Sequence, residues 1–440
     1  MTGPDDRDWQ AFTGQWRRSC ATDAQLLAMG AAATVAFLVR CGDRAVAFVF
    51  ERGRLGSEVS TRPEADFEVS AAAPVWERFW QPMPRPPYQS LFSMLARVPG
   101  VKVSGDQLRF AQHAHLVRRI LEIGRTVRCG GEALETGPLP PAPGGPEPVT
   151  GHYRLLTIGE KPTRVYYEEA GEGRDVILLH TAGADARQWY HVMNDPRLLR
   201  RCHMVAFDLP WHGRSMPPRG MWPGSYALTT STYATTVEAL ADALSLDRPL
   251  VVGCSMGGQI CLELAYRSPG RFAAVIACEA SDHVTGRQVG WAKDPRVNQA
   301  LFVPEWVYGL MAPQSPAEYR DEVWWEYSQG GFGTYHGDIS FYSGEWDARL
   351  RVGDIDTGRC PVFMLTGEYD YSCTPEMSRH TAAKIPGARF QMMHGVGHFP
   401  MAENPPVFID YLLPVLDEID GLGGAGPGGP PRREPADGTS

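Results

Sequence analysis

The chain has 440 residues, 43% apolar and 21% charged, which is ordinary for a globular protein and long enough for two domains plus tails. A net charge of -9, with no compensating basic run, argues against a nucleic-acid partner, since phosphate neutralisation needs a basic surface. Nine scattered cysteines (Cys20, Cys41, Cys129, Cys202, Cys254, Cys261, Cys278, Cys360, Cys373) form no C-x-x-C pair. They fit a reducing compartment without a disulfide framework or a zinc site.

The acidic start MTGPDDRDWQ lacks the basic region of a signal peptide. The most apolar stretch, Leu26 to Val39, is about 14 residues, short of the roughly 20 needed to span a bilayer. It reads as a buried helix-to-strand segment, and the expected localisation is cytoplasmic. A first domain is expected over 5–129. Gln25–Ala31 reads as a short helix. Thr34–Arg40 and Ala45–Glu51 read as strands of a hairpin turning at Cys41-Gly42-Asp43-Arg44. Further strands are expected at Gly56–Ser60 and Ala65–Ser70, and helices at Pro74–Trp80 and Asp106–Val127. The sum is an α+β layer.

The run ADFEVSAAAPVWERFWQPMP (65–84), then PPYQSLFSML and VKVSGDQLRFAQHAHLVRRILEIGR, resembles the SCP2-like fold. That resemblance implies a hydrophobic tunnel for lipid-like molecules. The plainer reading is that Trp76, Phe79 and Trp80 fill a core, and that the domain is a docking platform or the seat of a homo-oligomer. Residues 130–148, rich in Pro and Gly, read as an interdomain linker, and 421–440 as a disordered tail.

Residues 150–420 alternate strand and helix patterns. Val176–His180, Met204–Asp208, Leu250–Cys254, Ala273–Cys278 and Val362–Thr366 are apolar runs of the kind buried on both faces of a parallel sheet, and Arg389–Met393 reads as the last strand. Helical stretches at Asp185–Met193, Thr232–Leu246, Met256–Arg267, Pro375–Lys384 and Pro405–Glu418 lie between or after them. The expected architecture is a doubly wound, mostly parallel α/β sheet.

The chemistry centres on Gly253-Cys254-Ser255-Met256-Gly257, a G-x-S-x-G pattern between an apolar strand and a helix. Such a turn exposes a serine hydroxyl. A serine nucleophile needs a base, and the base an orienting carboxylate. His398, in the loop Gly395-Val396-Gly397-His398, and Asp370, in Leu365-Thr366-Gly367-Glu368-Tyr369-Asp370, both fall at strand ends, where α/β sheets place their sites. Glu279 and Asp282, one strand earlier, are alternative acids, with Asp370 preferred.

With the turn Asp208-Leu209-Pro210-Trp211-His212-Gly213-Arg214-Ser215, these motifs resemble the α/β-hydrolase superfamily over about 270 residues. The resemblance implies an oxyanion hole from the N–H groups of Met256 and Ala182. Thr181 stands where a glycine is usual, which leaves the conformation of that loop open. Trp211 likewise replaces a glycine, and His212 reads as part of a structural turn. A lid is expected at 283–353, a stretch holding five of the twelve tryptophans together with Tyr308, Tyr327, Phe332, Tyr335 and Tyr342. Trp306, Trp324, Trp325 and Phe399 are the candidates to line the substrate pocket.

The expected activity is hydrolysis of a carboxylic ester or lactone of a bulky hydrophobic substrate through an acyl-enzyme, with no metal and no organic cofactor. One rival is a carbon–carbon hydrolase of the meta-cleavage type, which shares Ser-Met-Gly-Gly but usually has Trp where this chain has Phe399. The other is a non-catalytic protein that holds a hydrophobic ligand on the same scaffold.

Overall fold

The structure, a computed structural model, describes residues 4–56, 65–130, 145–222 and 225–422. The strand expected at Gly56–Ser60, most of the linker and nearly all of the tail lie outside the described residues.

The N-terminal region opens with two helices, α1 (Pro4–Thr22) and α2 (Ala24–Met29). Strands β1 (Val35–Cys41), β2 (Arg44–Glu51), β3 (Arg54–Leu55), β4 (Phe67–Ala71) and β5 (Lys102–Gly105) form one sheet in the order β3-β2-β1-β4-β5. β1 pairs with β2 antiparallel but with β4 in parallel, so the sheet is mixed. Helices α3 (Ala73–Phe79) and α4 (Leu91–Arg97) separate β4 from β5, and α5 (Gln107–Arg128) follows. Asp106 starts α5 by accepting the N–H groups of Leu108 and Arg109 at 2.9 and 3.0 Å.

Helix α1, which the sequence pattern does not announce, packs on α5. The Trp16 indole donates to Ile120 O at 2.7 Å, and Gly124 makes the approach feasible: a Cβ there would lie 2.7 Å from the indole. Trp16, Trp76, Phe79 and Trp80 are all buried, with Phe12 stacked on Trp16, Trp76 stacked on Trp80, and Phe48 edge-on to Trp16, each burial stabilising the fold by about 1.5–3 kcal/mol.

The second sheet has eight strands in the order β13-β12-β11-β10-β8-β9-β7-β6. They are β6 (Thr150–Ile158), β7 (Lys161–Ala170), β8 (Arg174–Leu179), β9 (Cys202–Phe207), β10 (Leu250–Cys254), β11 (Val275–Cys278), β12 (Val362–Gly367) and β13 (Arg389–Met393). Six run parallel, of which β9 to β12 are buried on both faces and β13 is a partly exposed edge, while β6 and β7 form an antiparallel hairpin at the other edge. The short α6 (Tyr190–Met193) and α7 (Pro196–Leu199) lead into β9, α8 (Thr230–Ala243) precedes β10, and α9 (Met256–Arg267) follows it.

Between β11 and β12 lies the expected insertion, built on α10 (Gln299–Tyr308), α11 (Ala317–Tyr327) and α12 (Thr334–Ser340), the last running into a π-helical turn at Phe341–Glu345. Helices α13 (Pro375–Lys384), α14 (Pro400–Glu403) and α15 (Pro405–Leu422) complete the α/β layers. Among the described residues no helix is long and apolar enough to cross a membrane.

The N-terminal region is fastened to the insertion and to the loop after β12. Gln89 Nε2 donates to Tyr369 O at 3.0 Å, and Arg97 reaches Tyr371 O and Ser372 O at 2.8 and 3.1 Å. Arg118 of α5 pairs with the fully buried Glu305 of α10.

Candidate active site

Ser255 sits at the β10–α9 junction with φ 59° and ψ -117°, a strained conformation for a residue with a Cβ. The turn is feasible because its neighbours lack side chains. A Cβ at Gly253 would lie 2.3 Å from Gly257 O, and one at Gly258 would lie 2.3 Å from Cys278 O. The Ser255 N–H is anchored to Cys278 O at 2.9 Å.

His398 lies in the loop between β13 and α14, its own N–H held by Leu310 O at 3.0 Å. Its Nδ1 stands 2.6 Å from Asp370 Oδ2. A carboxylate can only accept, so the proton is on Nδ1 and Nε2 is left as an acceptor. Asp370 is itself fixed: Oδ1 accepts the N–H groups of Ser372 and Cys373 at 2.7 and 3.1 Å.

The alternative acids are placed differently. Asp282 pairs with Lys384 at 2.5 Å on α13. Glu279 is fully buried beside Asp370 at φ 51°, accepting the Gly367 N–H at 2.9 Å. Burial first, and the Asp370 charge second, push its carboxyl well above the usual range. Glu279, Asp370 and His398 offer ligand atoms within 4.8 Å of one another, a spacing that a cation could use. The hydrogen bonds just given already engage all three side chains.

In the loop after β8, the Thr181 N–H is taken by Gln188 Oε1 at 3.0 Å and the Gly183 N–H by Asp338 Oδ2 at 2.7 Å. Ala182 lies between two committed donors. Thr181 fits where a glycine is usual because its hydroxyl is absorbed by Gln188 and by Tyr327 OH at 2.6 Å. Met256, the first residue of α9, has an N–H with no intrahelical acceptor.

His212 donates Nε2 to Asp338 Oδ2 at 2.7 Å and contacts Pro210 O through Nδ1 at 3.1 Å. Asp338 also accepts from Tyr226 OH at 2.6 Å. His212 therefore ties its turn to the Gly183 loop. Trp211 adopts φ 79°, the left-handed conformation that explains a glycine at this position in related turns.

Ser255, His398, Thr181 and Ala182 border one slot, closed over by Leu310, Tyr327, Tyr335, Ile339, Tyr342 and Phe399, with Arg287 in its wall. Its free space is about 10 Å³, room for about one water, so a substrate enters only when the insertion moves.

Of the four expected pocket residues, the structure brings Phe399 to this slot and leaves the other three outside it. Trp325 is 62% exposed. Trp324 donates to Glu305 Oε1 at 2.9 Å. Trp306 packs on Phe92 and Phe302. The reason is helical phase: Tyr319, Val323 and Tyr327 form the buried stripe of α11, which turns Trp324 and Trp325 to other faces. The four-residue spacing of that stripe was the signal for Tyr327. Arg287 carries no signal in the sequence.

Glu403 lies behind the His398 loop, accepting the Gly397 N–H and, at 2.9 Å, that of Ala312. Burial raises its carboxyl to about 8 from an ordinary 4.5. Between those values the folded state holds a proton that the unfolded chain lacks. This contribution to stability is full below about 4.5 and is lost as pH rises through about 8, by at most about 1.4 kcal/mol per pH unit. Denaturant titrations across that window are expected to show a flatter profile for Glu403→Gln than for the native chain.

A model of the Alpha/beta hydrolase family matches residues 176–411, more than half of the chain. The chain belongs to the alpha/beta hydrolase family. An uncharacterized Mycobacterium tuberculosis protein is 23% identical to this alpha/beta hydrolase over 273 residues, 57% of this chain and 77% of that protein. A 2-hydroxy-6-oxo-2,4-heptadienoate hydrolase of Pseudomonas putida is 29% identical over 151 residues, 33% of this chain and 51% of that protein. The enol-lactonase from Burkholderia xenovorans matches the fold with a TM-score of 0.52 at 20% identity, covering 60% of this chain and 100% of that one.

Proposed function

We propose that this alpha/beta hydrolase cleaves a carboxylic ester or lactone through an acyl-enzyme on Ser255. The observation that carries the reading is a strained serine that opens into one slot with a histidine whose Nδ1 is locked to Asp370 at 2.6 Å. His398 Nε2 takes the Ser255 proton as the hydroxyl attacks the substrate carbonyl. The oxyanion is met by the Ala182 and Met256 N–H groups. His398 then protonates the leaving alkoxide, and a water activated by the same ring releases the acid. Asp370 holds the tautomer, and the buried Glu279 supports Asp370 from behind. The aromatic and aliphatic lining favours an apolar substrate body.

The test is turnover of p-nitrophenyl esters of graded chain length, with a fluorophosphonate labelling Ser255 at one mole per mole. Absence of both would sink the reading. A second reading is favoured by the similarity to the Pseudomonas putida hydrolase: cleavage of a carbon–carbon bond in a vinylogous 1,5-diketone. Turnover of such a diketone without ester turnover would select it.

For the N-terminal region we retain the SCP2-like reading. What supports it is a five-stranded sheet followed by a long helix, and a groove of about 750 Å³ where Trp9, Phe12, Trp76 and Trp80 share the wall with the charged Asp8, Asp43, Arg44, Glu77 and Arg128.

A further inference from the structure

Arg287 stands apart from the other buried guanidinium groups of this molecule. It is 3% exposed and borders the slot that holds Ser255, Ala182 and His398. Arg118 is neutralised by Glu305 and Glu122. Arg125 donates to the carbonyls of Phe79 and Gln89 at 2.8 and 3.0 Å. Arg287 has neither kind of partner. Among the described residues no carboxylate lies within ion-pair distance of it, and its Nε has no hydrogen-bond acceptor. Its guanidinium is sandwiched 5.1 Å from the Trp306 ring and 5.2 Å from the Tyr371 ring, with the neutral phenols of Tyr335 and Tyr342 nearby. Its backbone N–H is held by Ser343 Oγ at 3.1 Å, and the side-chain partners it has are the uncharged phenols of Tyr371 and Tyr335.

An arginine does not shed its proton, so a full positive charge is held in a closed site without an anion. Ring faces repay part of the desolvation, and a carboxylate would repay far more in two parallel hydrogen bonds. A fold keeps such a charge at a substrate slot when the substrate brings the counter-charge.

We propose that Arg287 is an anion-binding subsite, and that the substrate is an ester or lactone bearing a free carboxylate that pairs with Arg287 while its scissile carbonyl meets Ser255. This rests on the ester-hydrolase reading and narrows it from an apolar substrate to an amphipathic, anionic one. The carboxylate takes no part in bond making. Water adds across the acyl–oxygen bond as in any ester hydrolysis: an ester gives an acid and an alcohol, one of which carries the extra carboxylate, and a lactone gives a single hydroxy acid that carries it.

The experiment compares kcat/KM for paired substrates of equal length. Mono-p-nitrophenyl esters of dicarboxylic acids place the charge on the acyl side, and acetoxy acids place it on the alcohol side. Each is measured beside its neutral methyl-ended isostere. The readout is the anionic-to-neutral ratio within one protein, so a general loss of activity cancels. The ratio is expected to be at least about tenfold for the native chain in one series, to fall to about one in Arg287→Met and Arg287→Gln, and to survive in part in Arg287→Lys. Arg287→Lys, which keeps the charge, serves if the neutral variants fail to fold. A native ratio of one or less in both series would overturn the proposal, as would a ratio that Arg287 variants do not change. If no ester is turned over at all, the hydrolase reading fails separately. The subsite is then judged by calorimetry of monomethyl glutarate on the full-length Ser255→Ala chain. Binding that disappears in Ser255→Ala/Arg287→Met supports the subsite, and absence of binding overturns it.

Discussion

Ser255→Ala is expected to lower kcat for an accepted ester by roughly 10⁵- to 10⁶-fold, and adding His398→Ala to it is expected to cost almost nothing more. In the proposed mechanism the two groups act as one unit: without the hydroxyl, the ring would have nothing to deprotonate. Single-turnover assays with excess enzyme measure both variants, and a double variant far slower than either single one would break the unit. Asp370→Asn is expected to cost about 10⁴-fold, because an amide can present its NH2 to Nδ1 and so favour the wrong tautomer. Glu279→Gln provides the contrast. Burial pushes the Glu279 carboxyl well above its usual range, and it accepts the Gly367 N–H, which a glutamine carbonyl also does. Its substitution is expected to change kcat by no more than about threefold. If the two variants exchanged these magnitudes, Glu279 rather than Asp370 would be the acid.

The reach of sequence reasoning followed the physics of each signal. β10, α9 and α13 fall within the expected bounds because a run buried on both faces, or a helix opened by Thr374-Pro375, leaves a local trace. The β6–β7 hairpin does not. β6 exposes most of its residues, Tyr153 and Leu155 among them, and so lacks the apolar run that marks the buried strands. Helix α1 is polar along much of its length and is stabilised by partners more than 100 residues away, such as the Trp16–Ile120 contact. In the site, Ser255, His398 and Asp370 were legible because each occupies a strand end with its own turn chemistry. Arg287 was not, since an unpaired buried charge is visible only once its surroundings are folded. Trp324 and Trp325 were chosen by residue type, and the phase of α11 took both elsewhere.

Arg118→Met is expected to destabilise the protein by about 3–5 kcal/mol, because it strands a carboxylate rather than merely deleting a contact. Glu305 is fully buried on α10, and it is satisfied by Arg118 and by the Trp324 indole. Without the guanidinium, one neutral donor remains to a charge that has left water. Burial already raises the Glu305 carboxyl while Arg118 opposes that shift. In the variant only the Trp324 indole is left to oppose burial. The group then gains a proton on folding, so the penalty is smallest at low pH and grows as pH rises. Denaturant titration at several pH values measures this. Arg118→Met/Glu305→Met, which removes both charges, is expected to recover most of the loss. The pair joins α5 of the N-terminal region to α10 of the insertion, which closes over Ser255. Arg118→Met is therefore also expected to speed proteolysis within 299–327 and to raise KM more than it lowers kcat. A stability loss with unchanged KM would mean that the N-terminal region supports the fold without restraining the insertion.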